Sequence, residues 1–399
     1  MVLKILIFIL IFFIIVVSHE FGHFIIAKAN GIRVVEFSVG MGPKLIKFKR
    51  KETTYSLRLL PIGGACIFDE VDSYQTGQTT FKPGQNGDEE TSDGTMQNAS
   101  EINANSKYNQ DKLIAQHISA EEQFENEKKQ KKNFSDAPLL ARFTTVLAGP
   151  LFNFILAFVL AIAMVIICGQ TNTKITSVMD GFPAQEAGIQ PGDEIVSING
   201  ERVYIYDEVR LISSMNQGEK LTLVVKRDGE NKEYVINPKF DEEQNRYYIG
   251  FSGGTYKERN PWMIISSAYL EVRYWIKATF KSLIRLFTGQ GSVTELSGPV
   301  GVATVVSDVY DEAVSYGFLT VLASMLNIAI LLSANLGVIN LLPLPAIDGG
   351  RILFMLIELV RGKPVPKDKE AIVHFIGFVL LLGLMIFVFY NDIARIFTR

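Results

Sequence analysis

His19, Glu20 and His23 fall within an H-E-F-G-H run, and they include two of only four histidines in 399 residues. On a helix this spacing puts both imidazoles on one face, one turn apart, with the carboxylate beside them. Two neutral imidazoles can hold a zinc ion, and an adjacent carboxylate can draw a proton from water held there. The chemistry expected of this run is metal-assisted hydrolysis.

A catalytic zinc site uses three protein ligands and keeps one position open. Candidates for the third are His117, His374 and Asp348. His117 lies in a polar stretch far from any rigid frame. His374 opens an apolar run, where an interfacial histidine needs no special role. Asp348 stands in N-L-L-P-L-P-A-I-D-G-G, directly after another apolar run. Pro343 and Pro345 break the helix there, and non-helical backbone at membrane depth is tolerated only when buried in protein or facing water. A lone carboxylate in that setting must be paired, coordinated or protonated. Coordination meets that need, so Asp348 is the expected third ligand to one zinc ion, with Glu20 as the catalytic acid/base. An aspartyl mechanism would need two cooperating carboxylates, and Asp348 has no such companion. Asn340, and Asn153 in A-G-P-L-F-N, are candidates for gripping an extended substrate; an interhelical hydrogen bond is the competing role for Asn153.

These residues need a frame, and the apolar stretches at residues 2–24, 139–168, 316–338 and 371–390 supply one. Each reaches the roughly 20 residues of helix that cross a ~30 Å hydrocarbon core. The first resembles a signal peptide, with Ala27-Lys28-Ala29 imitating a cleavage site, but a discarded leader has no use for H-E-x-x-H. Lys47, Lys49, Arg50 and Lys51 follow the first stretch; Arg361, Lys363, Lys367 and Lys369 separate the third and fourth. The positive-inside rule puts both loops in the cytoplasm and both termini outside, against the weaker pull of Lys4, Arg395 and Arg399. At ~1.5 Å per residue His19 lies about 25 Å down the first helix, in the cytoplasmic half of the membrane.

Composition agrees. At 48% hydrophobic and a mean hydropathy of +0.20, the chain is too apolar for an ordinary soluble enzyme, while 20% charged residues demand long aqueous segments. A net charge of −3 gives no support for nucleic-acid binding. Cys66 and Cys168 sit in unlike surroundings and suggest no disulfide.

The expected architecture is therefore a polytopic α-helical membrane protein with four transmembrane helices. The first helix with H-E-x-x-H occupies residues 1–30, and a membrane-associated β-hairpin sheet, whose edge can pair with an extended peptide, occupies 31–69. A polar insertion at 70–135 is too poor in apolar residues to order itself, apart from a short helix capped by Ser119 and Glu122. The second transmembrane helix follows at 136–170. Residues 171–255 carry alternating strands and turns at Pro191-Gly192 and Asn199-Gly200; their A-G-I-Q-P-G-D-E-I-V-S-I-N-G string resembles PDZ domains, which bind peptides by strand addition. At 260–290, Arg273, Lys277, Lys281 and Arg285 form a basic face on an amphipathic helix, expected to lie along a membrane surface. The third transmembrane helix with its Pro-broken segment takes 315–360, and the fourth takes 370–392.

Together these motifs resemble the site-2 protease family of intramembrane zinc metalloproteases, in its bacterial PDZ-containing, regulator of sigma-E protease-like group. The likeness runs through His19–His23, S-V-G-M-G-P…T-T-Y-S-L-R-L-L-P-I-G-G, A-G-P-L-F-N, the PDZ string, S-G-P-V-G and N-L-L-P-L-P-A-I-D-G-G. It implies His19, His23 and Asp348 as zinc ligands, Glu20 as acid/base, and a hairpin that helps hold unwound substrate. It also implies a bacterial cell membrane location and single-pass membrane substrates such as anti-sigma factors or remnant signal peptides. The PDZ module would then be a size filter or a dock for peptide termini. The insertion at 70–135 has no counterpart in this pattern. A non-catalytic PDZ scaffold is the alternative, but it has no reason to keep a ligand set plus a base. An ion carrier would show repeat symmetry, which is absent.

Overall fold

The structure, a computed structural model, describes residues 2–68, 133–216, 218–241, 246–257, 260–291 and 296–398. The insertion expected over 70–135, with His117, Ser119 and Glu122, lies outside these residues except for 133–135. The chain divides into two compact units: Met1–Ser18 with Pro150–Leu342 and Leu380–Arg399, and His19–Gly149 with Pro343–Val379.

Among the described residues, four helices are long and apolar enough to cross a membrane: α1 (Val2–Ala29), α2 (Leu139–Cys168), α7 (Phe318–Leu341) and α9 (Lys367–Thr398). They coincide with the four expected stretches, and α9 extends further at both ends. Helices α6 (Pro299–Val314) and α8 (Asp348–Arg361) were not expected from the pattern.

In the unit holding His19–Gly149, the end of α1 leads into β1 (Val34–Arg50) and β2 (Thr53–Phe68). The two strands fold on themselves. Residues 44–50 run back along 53–58, the partners of 36–39 rise together with 54–57, and 64–68 pair with 34–39. This order leaves 64–68 as an outer strand. Lys28 near the end of α1 ion-pairs with Glu52 and donates to Thr53 Oγ1 (2.8 Å), whose hydroxyl in turn donates to the Val34 carbonyl (2.8 Å). Phe24 packs against Phe37 and Tyr55, and Ile32, Val34, Phe68, Phe134, Val146 and Met355 share one buried core. Asn30 donates to the Ala141 carbonyl, so the first turns of α2 are pinned to the end of α1. The hairpin is thus fixed to the helix that carries H-E-x-x-H.

In the other unit, β3 (Gln170–Val178), β4 (Glu194–Ile198), β5 (Glu201–Arg202), β6 (Leu221–Arg227), β7 (Glu230–Ile236) and β10 (Phe251–Tyr256) form a six-stranded sheet ordered β10-β3-β4-β6-β7, with β5 on β4. Helix α3 (Pro183–Glu186) and helix α4 (Tyr206–Met215) complete the module, and the short pair β8 (Lys239–Asp241) and β9 (Arg246–Tyr248) stands apart. Its core is the inward alternation of Ile195, Ile198, Leu221, Leu223, Val225 and Ile236. Asn199 and Gly200 take positive φ (50° and 78°), as a tight hairpin turn requires.

Helix α5 (Pro261–Phe287) starts where Asn260 caps Trp262 and Pro261 takes the first turn. Its basic face has partners within the protein that the sequence pattern did not show. Arg273 and Lys277 both reach the buried carboxylate of Glu208 (3.0 Å each), and Lys277 and Lys281 reach Glu201 (2.6 Å each). Arg273, Lys277 and Lys281 therefore grip the β-rich module, while Arg285 donates to the Gln290 carbonyl. Ala268 and Val272 pack with Ala157, Ala161, Ile330 and Ala334 of α2 and α7. Trp262, Met263, Ile265, Tyr269, Phe280, Ile284 and Phe287 remain exposed on that helix.

Candidate metal centre

His19, Glu20, His23 and Asp348 all belong to one compact unit, and all four line a cavity of about 140 Å³. His19 and His23 project from consecutive turns of α1, with ring centroids 4.7 Å apart and planes at 90°. Asp348 arrives from the other side. Helix α7 stops at Leu341, the Pro343–Pro345 segment is non-helical, and Asp348 opens α8.

The donor atoms converge. Asp348 Oδ2 lies 3.1 Å from His19 Nε2 and 3.2 Å from His23 Nε2, and the two Nε2 atoms lie 3.2 Å apart. Two ligands each about 2.0–2.1 Å from a tetrahedral ion stand ~3.3 Å from one another, so the triangle has the size zinc requires. The tautomer fits as well. His23 Nδ1 lies 2.9 Å from the Thr145 carbonyl, an acceptor only, so Nδ1 carries the proton and Nε2 presents its lone pair. Among the described residues, His19, His23 and Asp348 are the only group of metal-ligating side chains whose donor atoms meet, all within 4.8 Å. The donor set of two imidazoles and one carboxylate suits zinc.

Two further features frame the triangle: Gly149, which was not anticipated from sequence, and the hairpin, whose place beside the metal was expected. Gly149 lies so close to the rings that a Cβ there would overlap His23 Nε2 and Cε1 and stand 2.8 Å from His19 Cε1. Only glycine lets α2 pass the imidazoles this closely. The backbone of 64–68 forms another wall of the cavity, with the Cys66 amide donating toward the Glu20 carboxylate. Thr145 acts through a main-chain carbonyl, which leaves no mark on residue type. Gly149 left one faint signal, its place in A-G-P-L-F-N.

Asn153 and Asn340 belong to the other compact unit. Asn153 is fully buried in α2, and its carbonyl accepts from Ser333 Oγ of α7 at 2.8 Å. Asn340 is half-buried near the end of α7. Cys66 and Cys168 are both free thiols. His374, discounted as a ligand, is absent from the triangle but accepts the Ala346 amide two residues before Asp348.

Residues 7–384 match peptidase family M50. The chain belongs to that family. It is 33% identical over 425 residues to the regulator of sigma-W protease RasP of Bacillus subtilis strain 168, with 98% of each chain covered. It is 35% identical over 424 residues to the zinc metalloprotease RasP of Shouchella clausii strain KSM-K16, covering 98% of this chain and 99% of that one. The M50 chain is accordingly a zinc metalloendopeptidase, and the site-2 protease resemblance is borne out. The PDZ domain of the SdrC-like protein from Listeria monocytogenes aligns with 21% of this chain and 86% of its own at 23% identity, with a TM-score of 0.19. A likeness at that level adds nothing to the strand pattern already described.

Proposed function

We propose that this M50 peptidase hydrolyses peptide bonds within the transmembrane segments of single-pass membrane proteins, using His19, His23 and Asp348 as zinc ligands and Glu20 as acid and base. The observation that carries this reading is the 3.1–3.2 Å triangle of two Nε2 atoms and Asp348 Oδ2, with the His23 tautomer set by Thr145. When bound, zinc supplies Lewis acidity toward the scissile carbonyl and the attacking water.

The protein residues do the rest. Glu20 lines the same cavity as the ligands, so it can take a proton from the attacking water and return it to the departing amine nitrogen. A substrate helix hides its carbonyls in i to i−4 bonds and must open before attack. The outer strand 64–68 offers backbone groups to an extended segment beside the ligands, which is strand addition at the place where cleavage occurs.

Placement of His19 and His23 on an apolar 28-residue helix supports cleavage at membrane depth. The basic loops support a multi-pass protein of the bacterial cell membrane with both termini outside and the site in the cytoplasmic half. The name of the Bacillus subtilis relative, a regulator of a sigma factor, supports anti-sigma factors as one substrate class, with remnant signal peptides as another. The β-rich module is read as a PDZ domain acting as a size filter. Its end strand β10 has its Phe251 carbonyl occupied by the Tyr206 hydroxyl (2.6 Å), and the Tyr206 ring covers Gly253 so closely that a Cβ would overlap it. A peptide terminus can pair with that edge only after Tyr206 leaves.

The test is a pair of substitutions in the intact chain with a co-expressed single-pass substrate. Glu20→Gln keeps zinc and lowers cleavage by ~10²–10⁴-fold, the usual worth of a general base. Asp348→Asn lowers both zinc content and cleavage. Undiminished cleavage by Glu20→Gln, or unchanged zinc in Asp348→Asn, would remove the residue concerned from its role.

A further inference from the structure

Three observations meet on the loop that delivers Asp348. First, Ala346 has φ +72°, a left-handed conformation that a residue with a Cβ adopts only when its surroundings hold it there. Second, the Ala346 amide donates to His374 Nδ1 at 2.9 Å, from the first turns of α9. Third, Gly377, nearly one turn further along α9, touches Pro345 so closely that a Cβ at 377 would overlap the proline ring. The His374 ring is in turn packed against Phe354 of α8, with centroids 5.5 Å apart at 47°. Helix α9 therefore grips both residues that precede Ile347 and Asp348, and all these groups lie in one compact unit.

We propose that His374 is a positioning residue for the zinc ligand Asp348. Its Nδ1 accepts the Ala346 amide, which fixes the left-handed turn, and the turn sets where the Asp348 carboxylate enters the triangle. The role is geometric and uses no charge on the imidazole. It follows from the tautomer: an Nδ1 that accepts a backbone N–H must be unprotonated, leaving the proton on Nε2. Outer groups that orient a metal ligand typically change metal affinity 10–100-fold when lost. Here the influence passes through two residues of backbone, so the lower end of that range is expected.

This inference rests on Asp348 being a ligand, and the experiment separates the two. Zinc affinity of the detergent-solubilised full chain is measured by competition with a chelator, alongside cleavage of a model substrate. His374→Leu should weaken zinc binding about 10-fold. His374→Asn places an amide oxygen where Nδ1 stood and should stay within about 3-fold of wild type. His374→Gln puts its amide where Nε2 stood and should behave like leucine. In the His374→Leu background, Ala346→Gly should recover most of the loss, because glycine holds positive φ unaided. Wild-type zinc affinity in His374→Leu, an asparagine no better than leucine, or no recovery with Ala346→Gly would each overturn the proposal. Asp348→Asn run in parallel reads the underlying assignment. If it loses zinc while the His374 series stays flat, only the positioning role falls; if it keeps zinc, the ligand assignment falls first.

Discussion

At the residue scale, the site depends on what is missing as much as on what is present. Two imidazoles on consecutive helical turns are common, but bringing a second helix against their metal-facing nitrogens is not. Gly149 permits it, since any Cβ there would occupy the space of His23 Nε2 and crowd His19 Cε1. Gly149→Ala should therefore displace the His23 ring, loosen its Nδ1 bond to Thr145 and lower zinc affinity at least 10-fold. Metal analysis after a mild chelator wash checks this, and wild-type zinc content would show that the helices part without disturbing the ligands. The contrast explains which parts of the site were legible in sequence. His19, Glu20 and His23 declare themselves because their spacing is local. Asp348 was found because a carboxylate in a Pro-broken apolar segment needs a partner. Gly149, Thr145 and His374 act through close approach or through main-chain atoms, and only the fold brings those to light.

At the element scale, the hairpin was readable from strand alternation, but its folded-back order was not, because both halves of β1 and β2 alternate equally well. That order makes 64–68 an outer strand, with the Cys66 amide turned toward the site. Cys66→Pro removes this amide and should lower cleavage by more than 10-fold with zinc retained. Cys66→Ala should do neither, and a fully active proline variant would show that Glu20 does not depend on the Cys66 amide. Helix α5 teaches the opposite lesson. Cations at four-residue spacing look the same whether they face lipid phosphates or carboxylates, and Glu208 and Glu201 lie some 65–80 positions upstream of Arg273, Lys277 and Lys281. The Glu201 pairing also sets a pH dependence. Burial raises its carboxyl pKa, but Lys277 and Lys281 outweigh it and hold the group below its ordinary value. A carboxyl depressed in the folded state stabilises above its unfolded pKa and loses that stabilisation as pH falls through the folded value. Docking of α5 on the module should therefore persist from neutrality to about pH 5 and weaken progressively below about 4. Amide hydrogen exchange across residues 199–210 and 270–285 would detect it, and flat protection down to pH 3 would refute it.

At the scale of the whole molecule, two facts bear on the proposal that the β-rich module acts as a filter. Its tethers are short: β3 begins two residues after α2 ends, and β10 ends five residues before α5 begins. Its grip on α5 is ionic and partly buried, through Glu208, which is 1% exposed and also accepts the Tyr204 amide at 2.7 Å. A module held at both ends and clamped across one face is suited to blocking bulky partners, and poorly suited to sweeping out and fetching them. With Tyr206 closing the β10 edge, the same conclusion is reached from the peptide-binding side. Replacing Glu208 by Ala removes the carboxylate partner of Arg273 and one of the two partners of Lys277, and should cost on the order of 2 kcal/mol of docking, below the figure for a fully buried pair because Arg273 is 32% exposed and Lys277 keeps Glu201. If the module is a filter, that loosening has a readable direction: a substrate that still carries its folded external domain should be cut faster by Glu208→Ala than by wild type, while a pre-trimmed substrate is cut at an unchanged rate. Tyr206→Ala, which opens an edge without loosening the clamp, should leave both rates alone. Equal rates for the untrimmed substrate in wild type and Glu208→Ala would end the filter reading, and a rise confined to Tyr206→Ala would replace it with docking.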